Sequence, residues 1–97
     1  MRTPATEFAT EIAALRTFGD ASQIQMAIEE CAELIDALCK FRRARCTRED
    51  VITEIADVLI MAEQMALAFG EADVEAEKKR KLTRLQERID EANSYKK

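Results

Sequence analysis

The sequence predicts an all-α protein of four helices, and three observations carry that prediction. Apolar residues recur at three- and four-residue steps along most of the chain. Only 2 Gly and 1 Pro occur in 97 residues, too few to punctuate a fold of many short strands and turns. Both glycines, Gly19 and Gly70, fall where a periodic stretch stops. A chain of this length buries roughly 60 to 65% of its unfolded surface, so it reads as one domain over 1–97 with a modest core.

The first helix is expected over 4–18. Thr3 precedes Pro4, whose missing N–H costs nothing in a first turn, and Phe8, Ile12 and Leu15 follow at helical spacing. Gly19 ends it. A second helix is expected over 21–45, capped by Asp20 or Ser22, with Ser22 and Gln25 at the spacing of a capping box. Thr47 can cap a third helix over 48–69, which Gly70 stops in a left-handed conformation. The fourth is expected over 73–92, with Val74, Leu82, Leu85 and Ile89 as its apolar stripe and Asn93 to Lys97 as a fraying tail.

Composition excludes several classes of function. A formal charge of -4 argues against a general binder of nucleic-acid polymers, which needs a basic surface to displace counterions. The positive charge is local, around the middle connector (Arg42, Arg43, Arg45, Arg48) and on the last helix (Lys78, Lys79, Arg80, Lys81, Arg84, Arg88). No apolar run approaches the roughly 20 residues of a membrane span, and no secretory pattern opens the chain. Cys31, Cys39 and Cys46 form no CxxC, and a rise of about 12 Å separates the first two along one helix, too far to bridge. Reduced thiols and a cytoplasmic location are the expectation.

Two carboxylate pairs share one spacing, Glu30-x-x-Glu33 and Glu54-x-x-Asp57, each inside a helix and joined by the basic connector. An i, i+3 step sets both members on one helical face. On a helical wheel, Ile24, Ala27, Ile28, Cys31, Leu34, Ile35 and Leu38 share one arc, with Glu30 at its edge and Glu33 just beyond. Glu54 falls inside the apolar arc of the third helix, flanked by Met61 and Met65, where a lone carboxylate is expensive. If the two helices pack together, four acids converge and call for a cation. With no histidine in the chain, an oxygen-only set points to a hard ion, Mg²⁺ or Mn²⁺, and such ions work most often on phosphates. The missing histidine also removes Ser/His and Cys/His catalysis, and no Gly-rich phosphate loop is present. Lys81, Arg84 and Arg88 share one flank of the last helix, where triphosphate charge can be met. A second apolar strip on the third helix, Ala56, Ile60 and Leu67, needs cover from a partner subunit or from the first helix.

These residues resemble the MazG-like all-α nucleoside triphosphate pyrophosphohydrolases, whose mark is Glu-x-x-Glu followed after a connector by Glu-x-x-Asp. The stretch Gln23 to Ile35 is similar to the family's first motif helix, Glu54 to Ile60 to its second, and Lys81-Leu82-Thr83-Arg84-Leu85-x-x-Arg88 to the basic segment that closes many members. The likeness covers about residues 20 to 90. It implies a protomer that forms a dimer or a dimer of dimers, a homodimer or homotetramer, with Mg²⁺ held by Glu30, Glu33, Glu54 and Asp57. It also implies attack of water on the α-phosphorus of a nucleoside triphosphate, which gives a monophosphate and pyrophosphate, as in the clearing of non-canonical nucleotides. Glu30 or Glu33 would act as the base, and Lys81, Arg84 and Arg88 would bind the substrate's phosphates. The chain lacks the Trp that some members use against the base. The competing reading is a non-catalytic helical module that binds metal or nucleotide, or serves interaction.

Overall fold

A computed structural model describes residues 4–95, which form four helices: α1 (Pro4–Phe18), α2 (Asp20–Arg42), α3 (Arg48–Phe69) and α4 (Glu71–Ser94). No strand occurs among the described residues. Thr3, expected at the first helix start, and Lys96 and Lys97 of the expected tail lie outside them.

One glycine forms each of two connectors. Gly19 (φ 87°) closes α1 through its N–H to the Leu15 carbonyl and opens α2 by accepting from the Gln23 N–H. Gly70 (φ 125°) does the same between Ala66 and Val74. Positive φ at both junctions favours glycine, because a Cβ there is strained. These one-residue turns correct two expectations. Helix α2 begins at Asp20 with no side-chain cap, so neither Asp20 nor Ser22 caps it and the Ser22–Gln25 box does not form. Helix α4 likewise begins at Glu71, and it holds Asn93 and Ser94 in helix where fraying was expected.

Helix α2 stops at Arg42, short of the expected 45, because the chain turns left-handed at Ala44 (φ 57°). The Arg45 N–H then reaches the Lys40 carbonyl (2.8 Å) and the Ala44 N–H reaches Phe41 (2.9 Å). This is a Schellman closure with alanine where glycine is usual, at a cost of about 1 kcal/mol. It delivers Thr47 to the start of α3 as expected, where its hydroxyl accepts from the Asp50 N–H (3.1 Å) and the Asp50 carboxylate accepts from the Thr47 N–H (2.9 Å).

Helices α2 and α3 form an antiparallel hairpin whose register is fixed by facing side chains. Gln23 meets Gln64, Glu30 meets Asp57 and Glu33 meets Glu54, each advance along α2 matched by an equal retreat along α3. The buried strip of α2 holds Gln23 and Ala37, with Glu30 and Leu34 half-buried between them. That strip lies roughly a quarter-turn from the centre of the apolar arc. Ile28, Cys31, Ile35 and Leu38 of that arc therefore point outward, Ile35 with 64% of its surface exposed.

Helix α1 packs on both α2 and α3, whereas α4 packs only on α3. Helix α1 lies beside the second strip of α3, where Thr10 and Glu11 share a cleft with Ala56 and Ile60, yet Ile60 stays half exposed. No residue of α4 is buried. The chain's radius of gyration is 16.9 Å. A compact domain of this length would have about 12.5 Å. The protomer is open.

Candidate metal centre

The hairpin register brings the two acid pairs together midway along α2 and α3. Glu30, Glu33 and Glu54 each offer a carboxylate oxygen, and the three atoms lie within 4.8 Å of one another. Asp57 stands against Glu30 and Glu33 against Glu54, close enough in each case for two carboxyls to share a proton. Glu30, Glu54 and Asp57 are half-buried and Glu33 is exposed, so the cluster has a dry side and a solvent side.

Burial and acid crowding set the electrostatics of the cluster. Burial raises the Glu30 carboxyl above its ordinary value, and the charges of Glu33, Asp57 and Glu54 raise it further. Burial also leads for Glu54, followed by Glu33 and Asp57, with Asp36 adding a smaller push. Every charge acting on these two side chains is an acid. Oε2 of Glu30 and Oε2 of Glu54 are shut from water with no hydrogen-bond donor, a costly position for a carboxylate oxygen. A divalent ion held there would neutralise this crowding and give both oxygens a partner. Twice the metal–oxygen bond is about 4.2 Å for Mg²⁺ and about 5 Å for Ca²⁺, so oxygens within 4.8 Å of one another lie near the span of one ion, and such ions accept an all-oxygen set.

The structure brings together the acids named from the sequence but leaves the three cations elsewhere. Lys81, Arg84 and Arg88 are exposed on α4, which touches neither α2 nor the middle of the hairpin's acid face. Glu29 is exposed on the outer side of α2. Cys31, Cys39 and Cys46 are free thiols, and Cys46 donates to the Ala37 carbonyl (3.3 Å). No helix among the described residues is long and apolar enough to cross a membrane.

Two buried polar features escaped the sequence reading. One is the amide pair of Gln23 and Gln64, 6% and 4% exposed, in which the Gln23 side-chain N–H donates to Gln64 (2.7 Å). The other is Glu11, 8% exposed on α1, facing Glu63 of α3. It lines a cleft of about 650 Å³ with Glu7, Phe8, Glu63, Val74 and Glu75. A wheel signal existed for Glu11, because it borders the Phe8, Ile12, Leu15 stripe.

Burial, then the shared proton and charge of Glu63, then Glu7, push the Glu11 carboxyl up to about 7. Glu71 and Glu75 of α4 add further acid to the same cleft. An acid whose folded pKa exceeds its unfolded value binds more protons when folded, so its contribution to stability falls as pH rises between the two values. Protection of the α1 amides from hydrogen exchange, corrected for intrinsic rates, should therefore fall between about pH 4.5 and pH 7 and then level off. Glu11→Gln should flatten that fall, and an unchanged profile in the variant would remove Glu11 as its source.

Comparison with protein-family models, with curated proteins and with solved structures gives no match.

Proposed function

We propose that this protein is a Mg²⁺-dependent nucleoside triphosphate pyrophosphohydrolase that cleaves ribo- or deoxyribonucleoside triphosphates to the monophosphate and pyrophosphate. The observation that supports it is the meeting of Glu30, Glu33 and Glu54, with Asp57 against Glu30 and with one shielded, donorless oxygen on each of Glu30 and Glu54. Four acids in that position are a liability in a purely structural hairpin and an asset where a cation must be held. The resemblance of the two motif helices to the MazG-like enzymes gives the substrate class and the bond cleaved.

In this reading Glu30, Glu33, Glu54 and Asp57 hold Mg²⁺, with Mn²⁺ as a substitute. The bound ion supplies charge neutralisation to the phosphate oxygens and lowers the pKa of water. Glu33, the exposed member, is open to solvent and able to take a proton from an incoming water. Burial on the hairpin side excludes water from one half of the cluster and strengthens the field felt by substrate. Lys81, Arg84 and Arg88 have no path to the acids within one protomer, so their phosphate-binding role belongs to the assembled protein or to movement about Gly70.

That displacement favours a second reading, a metal- or nucleotide-binding module without turnover. One assay separates the two. Pyrophosphate release is measured on a panel of canonical and modified nucleoside triphosphates, dUTP included, with Mg²⁺, Mn²⁺ or chelator. Metal-dependent release with monophosphate as the other product is expected. Silence across the panel, with metal still bound, would overturn the catalytic reading and leave the binding module.

A further inference from the structure

Five acids from three helices meet in the cleft of about 650 Å³ with no cation among them. Glu7 and Glu11 come from α1, Glu63 from α3, and Glu71 and Glu75 from α4, and neither Lys nor Arg lines the space they enclose. None of the five forms a salt bridge among the described residues. Acids on an open surface are solvated and need no partner. Glu11 is different, because it is 8% exposed and no donor among the described residues serves its carboxylate. The one side chain within hydrogen-bonding reach of it is the carboxyl of Glu63, an acid like itself. A buried carboxylate without a donor or a cation is costly, and the cleft is where a cation can enter.

A single metal ion does not fit the arrangement. Among the described residues only Glu30, Glu33 and Glu54 bring three ligand oxygens within 4.8 Å of one another, and the acids of this cleft do not. Their charge is spread along two walls, Glu7 and Glu11 at i, i+4 on α1 and Glu71 and Glu75 at i, i+4 on α4, each step a rise of about 6 Å. Phe8, Leu67 and Val74 give the same space an apolar lining. The complement is a chain of methylenes with ammonium groups about 6 Å apart, the span of four carbons between two nitrogens. The volume is that of a small-molecule site.

We infer that this cleft binds a linear aliphatic diamine or polyamine, one ammonium group against Glu11 and Glu63, the next against an acid of the rim, and the methylenes along Phe8, Leu67 and Val74. The site shares no residue with the acid centre of the hairpin and does not depend on the catalytic reading. Binding carries a proton signature. The Glu11 carboxyl is pushed up to about 7, so an ammonium group that arrives there displaces a proton, and affinity rises as pH passes through about 7 while the amine stays charged. The titratable groups that face Glu11 across the cleft are Glu7, Glu63, Glu71 and Glu75, and α2 contributes none.

The test titrates putrescine and spermidine into the unmodified protein at constant ionic strength with Mg²⁺ in excess, read by calorimetry in buffers of different ionisation heat and by amide NMR. Amide shifts should centre on Ala66, Ala72 and Val74, with proton release and an affinity about tenfold or more above that for butylamine, whose single charge cannot bridge two acids. Glu11→Gln keeps the shape and should weaken binding about tenfold and abolish the proton release. Glu75→Gln, on the exposed rim where folding is not at stake, should weaken it as well. Glu29→Gln, on the outer side of α2, should change nothing. Silence in both readouts overturns the inference, as does equal affinity for butylamine. So do shifts that centre on Glu30 and Glu54, or equal weakening by Glu29→Gln, either of which would reduce the effect to general attraction between amines and an acidic protein.

Discussion

Glu54→Gln is expected to lower metal-dependent pyrophosphate release by more than about a hundredfold and, at the same time, to make the metal-free protein harder to melt. The two effects have one origin. Glu54 sits at the centre of the acid cluster with Oε2 shielded from water and without a donor, and its neighbours Glu33, Asp57 and Asp36 are all acids. The amide keeps the shape and removes the charge, so repulsion across the hairpin falls and the melting temperature rises by a few degrees or so. The same change removes a ligand, so the rise in melting temperature that Mg²⁺ gives the unmodified protein should disappear. Protons compete for the same oxygens. Because the Glu30 and Glu54 carboxyls lie above their ordinary values, Mg²⁺ stabilisation should fade as pH drops, and should begin to fade at a higher pH than for ordinary carboxylates. Full activity in Glu54→Gln, or a Mg²⁺ response equal to that of the unmodified chain, would dissolve the metal centre.

Gln64→Leu should cost about 2 kcal/mol, roughly 10 °C in melting temperature at fixed protein concentration. Gln64 is 4% exposed, accepts from Gln23 and directs its own N–H only at the Met61 sulfur (3.8 Å). Replacing it by leucine leaves the Gln23 amide buried without its partner, and the penalty is the desolvation of that amide rather than the net worth of one hydrogen bond. Changing both to leucine removes the orphan and should recover most of the loss. A double-mutant cycle read by thermal or urea melting measures the coupling. Near-zero coupling would mean that the amides do not hold the α2–α3 register.

Local features were legible in the sequence because their causes are local. Thr47 caps α3 as its place in the sequence predicts, because capping involves atoms three residues apart. Gly19 and Gly70 were read as stops, and both adopt positive φ at the two junctions. Helix α2 ends a few residues before its periodicity predicts because Ala44 takes a conformation that its side chain disfavours, held there by the closure onto Lys40 and Phe41. The acid pairs were visible as an i, i+3 repeat on two helices, and their meeting followed once those helices packed antiparallel.

By itself the sequence determined four helices, their main breakpoints and the acids that lie on one face of each central helix. Helical periodicity, caps and glycine junctions act within a turn or two of the chain. Only the tertiary structure decided which face each helix turns inward. It set Gln23, Glu30 and Ala37 against α3, turned Ile28 and Ile35 outward, joined Glu11 to Glu63 and carried Lys81, Arg84 and Arg88 away from the acids. A wheel ranks the faces of one helix by polarity, but packing is chosen by pairs of faces. Here the most apolar face of α2 is not the one that its hairpin partner covers.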